Sequence, residues 1–478
     1  MRLFIILILL FNFVSGQFLS SDPYYLLREE KINNLDNNYF IQTTIRPLIY
    51  NNKNHWSLKI RSEIYYNNGA PNLENKSNRF IGKGLSSFNS INFTYLGKFT
   101  FFSIEPYYFT SQNREIEMLK REEVFMYLND VRYTDMMPYI RSGLRETQFY
   151  FKFNQFAVGL SIANMWWGPG LHTSLTMTNN STGFPHLMIG TVEEKKIGNI
   201  GFNFRYIRSQ FFKTVNDPLY AAFVFRTTFY TEPLITIGFN KNILFPSNNK
   251  EPINHELVSS ISDFSSSKIQ EDNYQTIATY FILDFPKSGL KVFFELGTTD
   301  QWEDLNDFFN YPDHGIGSLI GFRQYGVFNN QNLIMGIEYA RLALSSFWED
   351  RAAPNWYGNS LFGYSSYDGR RWAAHSGSDS DDFYMYFGYL SDKWSFVSAF
   401  NYERHGILYT RPAEVKMEVD LEFRYKWKNY WLNLFFEKEW LEHAGFVPNR
   451  WRIGNVIWFG VERDMTNIFY NKLGLVKN

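Results

Sequence analysis

Cysteine is absent from all 478 residues. Its absence rules out disulfides, thiolate catalysis, cysteine-ligated metal and a lipoprotein anchor, which requires a cysteine at the mature terminus. Surplus charge is missing too: 47 basic residues stand against 48 acidic ones, so nothing favours a nucleic-acid partner, whose phosphates need a basic excess. Past the first sixteen residues, no stretch supplies the roughly 18 consecutive apolar residues of a transmembrane helix. The histidines at 255, 314, 375, 405 and 443 are scattered singly without an i,i+4 pair, giving a zinc site little support. His172, Ser174 and Asn179 have the residue types of a hydrolase, but their spacing matches no nucleophile signature. The reading is a non-catalytic protein with no cofactor and no metal.

What the chain does have is alternation. Residues 415–427 (VKMEVDLEFRYKW) switch without error between apolar and charged side chains. In a strand, Val415, Met417, Val419, Leu421, Phe423, Tyr425 and Trp427 share one face and six charged residues share the other; a helix would scatter both sets. At about 3.3 Å per residue the strand reaches roughly 43 Å, enough to cross a bilayer at a tilt. A lipid-facing apolar face backed by charge suits a barrel wall, and aromatic residues, 19% of the chain, are the material of interfacial girdles.

The first sixteen residues read as an export signal: Arg2, an apolar run from Leu3 to Val14, then Ser15 and Gly16 before a cleavage point at Gln17. Residues 17–39 follow as a periplasmic N-terminal segment, with a short capped helix expected over 21–36. From residue 40 to 478 the chain reads as an all-β transmembrane antiparallel outer-membrane β-barrel of roughly 16–18 strands, a first strand falling at 40–49. Charge spacing in Arg114–Leu128, with Glu117 and Arg121 four apart, predicts a helix in an insertion. Long interruptions at 164–190, 246–273, 299–315 and 345–382 are the expected external loops.

Within 164–191, Trp166-Trp167-Gly168-Pro169-Gly170 forces a tight turn, and Gly183-Phe184-Pro185 sets a second. With Ser174-Leu175, the pair Asn179-Asn180 and Phe184-Pro185-His186-Leu187 before Gly190-Thr191, this segment resembles the Wzi-type capsule assembly proteins. A looser likeness covers most of the mature chain, including Arg370-Arg371-Trp372 ahead of Gly377-Ser378-Asp379 and Asn401–Gly406. The chain departs from the usual barrel pattern in ending Gly-Leu-Val-Lys-Asn instead of in an aromatic. The resemblance implies a barrel of about eighteen strands with small periplasmic helices, acting as a lectin that holds capsular or other surface polysaccharide at the outer membrane. The expected partners are that polysaccharide, outer-membrane lipid and the polysaccharide export machinery.

Trp166, Trp167, His172, Asn179, Asn180 and His186 are the candidate glycan-binding or loop-structuring residues. Indole faces stack on sugar C–H faces, and Asn and His serve hydroxyls. The same residues also suit membrane-interface anchors or asparagines that bond loop backbone. Asp379, Asp381 and Asp382 lack an EF-hand register and read as a solvated acidic loop rather than a cation site. Trp348 to Arg351 with Trp356 and Tyr357 form a second candidate glycan-facing surface. A diffusion porin is the alternative function.

Overall fold

In the computed structural model the described residues are 17–19, 26–28, 30–31, 42–50, 56–132, 134–247, 273–299, 305–347, 349–351, 355–408, 410 and 412–465. The signal read at 1–16, residue Trp348 and most of the loop at 246–273 lie outside them.

Eighteen antiparallel strands close into a barrel. They are β1 Trp56–Asn67, β2 Gly84–Leu96, β3 Thr100–Ser111, β4 Tyr139–Phe153, β5 Phe156–Ser161 and β6 His186–Thr191, the last continued by Lys195–Ile197. Next come β7 Ile200–Gln210, β8 Leu219–Phe229, β9 Leu234–Phe245, β10 Tyr274–Phe285, β11 Leu290–Thr298 and β12 Ile316–Tyr325. The wall ends with β13 Leu333–Arg341, β14 Ser380–Leu390, β15 Trp394–His405, β16 Glu414–Trp427, β17 Tyr430–Glu442 and β18 Trp451–Asp464. Each strand pairs with its sequence neighbours, and β18 closes on β1 from Val456↔Asn67 to Asp464↔Lys59. Closure leaves no unpaired wall edge, which a sheet in hydrocarbon requires.

Strand β16 takes the orientation its alternation predicts. Leu421, Phe423, Tyr425 and Trp427 are exposed on the outside, while Lys416, Glu418 and Arg424 are buried inside. Lys416 pairs with Glu418 at 3.1 Å, so the charged face is an ion-paired inner wall. Connections alternate in length. The ends at 97–99, 154–155, 198–199 and 428–429 are short turns, and the opposite ends at 68–83, 112–138, 162–185 and 342–379 are long. Exposed aromatics gather at both rims: Phe153, Phe156, Trp394 and Trp427 near the short turns, Tyr66, Tyr108 and Trp451 near the long loops.

Three expectations change. The strand read at 40–49 is no wall strand over its described residues 42–49: Ile45–Arg46 pairs inside the barrel with Trp166–Trp167, and Leu48–Tyr50 pairs with Gln17–Leu19. The insertion 114–128 is no α-helix but extended chain ending in a 3-10 turn at Glu123–Tyr127. Glu117 and Arg121 do not pair with each other; Arg121 binds Asp130 at 2.6 Å and Glu414 at 2.9 Å, and Glu117 binds Arg450 at 2.5 Å. Long-range ion pairs outweigh a helical i,i+4 pair, which contributes only about 0.2–0.5 kcal/mol. Finally, the interruption read at 164–190 holds the start of β6. Of the helix expected over 21–36, residues 26–28, 30 and 31 are helical, with 21–25, 29 and 32–36 outside the described residues.

Candidate functional site

Loops 68–83, 162–185 and 342–379 do not stand clear of the barrel; they fold into it. Loop 162–185 enters behind β5 and turns at Gly168 and Gly170. A Cβ on Gly168, whose φ is +142°, would lie 2.3 Å from Ser174 Oγ, and one on Gly170 would lie 2.0 Å from the Thr173 carbonyl. The turn therefore admits only glycine at these two points. Above it Trp166 and Trp167 are completely buried. Trp167 N–H donates to Met177 O at 3.1 Å and Gly168 N–H to Thr44 O at 2.9 Å, so the two-residue ribbon is tied on both sides. Tryptophans so placed are no membrane-interface anchors.

Asn179 and Asn180 knit three loops together. Asn180 Oδ1 accepts from Asn75 N–H at 3.1 Å, and its Nδ2 donates to Arg371 O at 3.0 Å. Asn179 Nδ2 donates to Asn75 O at 3.0 Å, while its carbonyl accepts from Ser77 N–H at 3.1 Å. Thr178 N–H donates to Trp372 O at 2.8 Å. Loops 68–83, 162–185 and 342–379 are thus one hydrogen-bonded unit, in which buried backbone groups find the partners that water would otherwise provide.

The wall grips this unit. Glu338 on β13 accepts from the N–H groups of Leu171 and His172 at 2.6 and 3.0 Å. His172 lies flat on Tyr384, with ring centroids 4.0 Å apart, and meets His375 edge-on at 4.4 Å. Asn401 Nδ2 donates to His172 Nε2 at 3.0 Å. Burial, then the neighbouring His375, holds the His172 imidazole well below its ordinary pKa, so it accepts that bond as a neutral ring. His375 Nε2 lies 3.1 Å from Glu403, 3.3 Å from Asp382 and 3.8 Å from Glu74. Burial lowers its pKa, but Glu74 and Glu403 outweigh burial and hold it well above the ordinary value. Burial and the charge of Glu403 push Glu74 up to about 8.

His186 stands apart from the other five candidates. It opens β6, and its Nδ1 is 2.8 Å from Phe184 O. Asp379, Asp381 and Asp382 are not a solvated loop: all three are buried. Asp379 accepts from Leu408 N–H at 2.9 Å, Asp381 pairs with Arg404, and Asp382 accepts from Asn401 at 2.6 Å. In the second candidate surface, Trp356 and Tyr357 are buried, and Tyr357 donates to Leu175 O at 2.7 Å.

A family model for the capsule assembly protein Wzi matches residues 56–442. The chain belongs to the Wzi family. Among solved structures, Wzi from Escherichia coli is described as an outer-membrane protein involved in group 1 capsule assembly and as a carbohydrate-binding β-barrel. It matches at a TM-score of 0.59 and 11% identity, covering 92% of this chain and 97% of that one. OccAB4 of Acinetobacter baumannii and OccK5 (OpdH) of Pseudomonas aeruginosa match at 0.43 and 0.42 with 9% and 11% identity, each covering 86% of this chain and 98% of the other. No individual curated protein matches by sequence.

Several residues that hold the plug of this Wzi-family barrel escape sequence reasoning. Glu338, Tyr384 and Glu403 are inward positions of ordinary alternating strands, and only their closeness in space to the loops sets them apart. Arg371 was visible within the Arg-Arg-Trp run, but not as the partner of Asn180. On the long-loop side an open basin of about 480 Å³ is bounded by Tyr139, Arg141, Lys213, Asp368 and Gly369. Arg141 pairs there with Asp368 at 2.5 Å.

Proposed function

We propose that this Wzi-family protein binds surface or capsular polysaccharide and holds or assembles it at the outer membrane, without catalysing a reaction on it. The family match carries the reading, and the plug supports it over a diffusion channel, since loops tied to one another and to the wall obstruct the lumen. In this reading Trp166, Trp167, Asn179 and Asn180 structure the loops rather than touch sugar. The outer basin at Arg141, Lys213 and Asp368 offers the charged donors and acceptors that sugar hydroxyls need.

Ser174 supports the non-catalytic reading, because its Oγ donates to the Trp167 carbonyl and is not paired with His172. The apolar outer face takes outer-membrane lipid as a second partner, and the polysaccharide export machinery delivers the polymer. Residues 1–16 are removed on export, 17–39 lie on the periplasmic side, and the remainder is barrel, its wall starting at Trp56.

Deleting the gene tests the proposal. Synthesis of polysaccharide should continue while polymer moves from the cell surface into the medium. Unchanged retention of every surface glycan would overturn it, and steady ohmic conductance of the purified protein in a planar bilayer would favour a channel.

A further inference from the structure

Four side chains from four separate pieces of chain converge inside the barrel: Glu74 of loop 68–83, His172 of loop 162–185, His375 of loop 342–379 and Glu403 of β15. One ligand atom from each lies within 4.8 Å of all the others. We propose that these four residues bind a divalent transition ion of the zinc type, which staples the three plugging loops to the wall.

The spacing suits such an ion. Metal–ligand bonds of about 2.0–2.2 Å in a tetrahedron put ligand atoms about 3.3 Å apart, and His375 Nε2 lies 3.1 Å from Glu403 and 3.8 Å from Glu74. The carboxylates are already aimed. Lys416 holds Glu74 Oε1, and Glu74 Oε2 is left nine-tenths buried with no hydrogen-bond partner, pointing toward His375. His405 Nε2, at 3.0 Å, holds Glu403 Oε2, while Oε1 faces His375 Nε2 at 3.1 Å with the Lys416 ammonium behind it at 3.4 Å. Partners that fix the second oxygen of a ligand in this way are the usual outer layer of a metal site. A single ring nitrogen of His375 faces Glu74, Asp382 and Glu403, and one N–H satisfies only one of them. A dication that displaces the Nε2 proton to solvent satisfies several at once. Two imidazoles with two carboxylates select zinc-like ions over calcium or magnesium, which prefer oxygen alone. In a chain without cysteine, such an ion is also the cross-link that remains available for loops distant in sequence.

Equilibrium dialysis of the full chain in detergent micelles against Zn²⁺, with bound metal counted by atomic emission, tests the site. The native protein should hold one zinc per chain, and zinc should raise its thermal midpoint. Glu74→Gln and His172→Gln should each weaken binding at least about tenfold and abolish the thermal shift, while His443→Gln, away from the cluster, should change neither. Heat-modifiable migration on gels checks that each variant is folded; should the histidine variant fail to fold, the isosteric Glu74→Gln carries the comparison. Less than stoichiometric zinc on the native chain, or binding that Glu74→Gln leaves intact, overturns the proposal.

Discussion

The guanidinium of Arg46 sits over the ring of Trp166, 4.6 Å from its centroid, where Arg46 and Trp166 face each other across a two-residue antiparallel pair inside the barrel. A segment preceding the first wall strand is thereby fastened to the loop between β5 and β6. Trp166→Ala removes both the cation–π contact and a fully buried indole, a loss of about 3–5 kcal/mol for large-to-small changes of this type. The expected outcome is a lower thermal midpoint together with raised, flickering conductance in a planar bilayer. A closed barrel with unchanged stability would show that this contact does not hold the plug.

Asn180 gives a second, sharper test, because both ends of its amide serve backbone groups of other loops. Asn180→Ala leaves Asn75 N–H and Arg371 O buried without it, at about 1–3 kcal/mol for each unsatisfied group. Asn180→Asp keeps the acceptor and loses the donor, so it should harm less at the Asn75 end and more at the Arg371 end. Faster proteolysis within 68–83 and 342–379 is the readout, and equal protection of native and variant loops would count against the knot.

How far the sequence disclosed this arrangement depends on the range of the forces involved. The wall was legible because alternation is local: each residue of β16 needs only its neighbours to declare its face, and lipid outside enforces that pattern along the strand. The insertion 114–128 misled for the opposite reason. Its charges have a helical spacing, but Arg121 answers to Asp130 and Glu414, the latter far away in sequence. The Trp-Trp-Gly-Pro-Gly segment declared itself unusual through its glycines, whereas its lodging inside the barrel depends on Glu338, Asn75 and Arg371, which no local pattern links to it.

Glu30 makes stability depend on pH. It is buried near the N-terminus, with Lys291 at 3.1 Å, Arg323 at 3.0 Å and the Tyr325 hydroxyl donating at 2.8 Å. Burial pushes its carboxyl up, but Arg323, Lys291 and the hydrogen bonds from Thr43 and Tyr325 outweigh burial and hold it well below the ordinary 4.5. A folded-state pKa below the unfolded one means stability that is present above about pH 4.5 and is lost as pH falls further. Thermal midpoints of the native protein should therefore decline below that point. Glu30→Gln should flatten this part of the profile and, by leaving two buried cations short of a partner, cost about 3–5 kcal/mol at neutral pH. An unaltered acid limb in the variant would assign the pH dependence to other groups.

The placement of β16 in lipid yields a test within one strand. Leu421 lies at mid-height on the outer face, paired across the wall with Ser398 and Phe436, and Trp427 ends the strand at the short-turn rim, stacked on Tyr430 with ring centroids 5.8 Å apart. Both are exposed to the surroundings, so a barrel in water would accept arginine at either position with little difference. In a bilayer the cost depends on depth, about 2–4 kcal/mol for arginine at the midplane and about 0–1 kcal/mol near the interface. Leu421→Arg should therefore fold into lipid vesicles far less stably than Trp427→Arg, even though the second loses an aromatic stack. Denaturant titration of the two variants in vesicles measures the gap, and equal costs would remove Leu421 from the hydrocarbon.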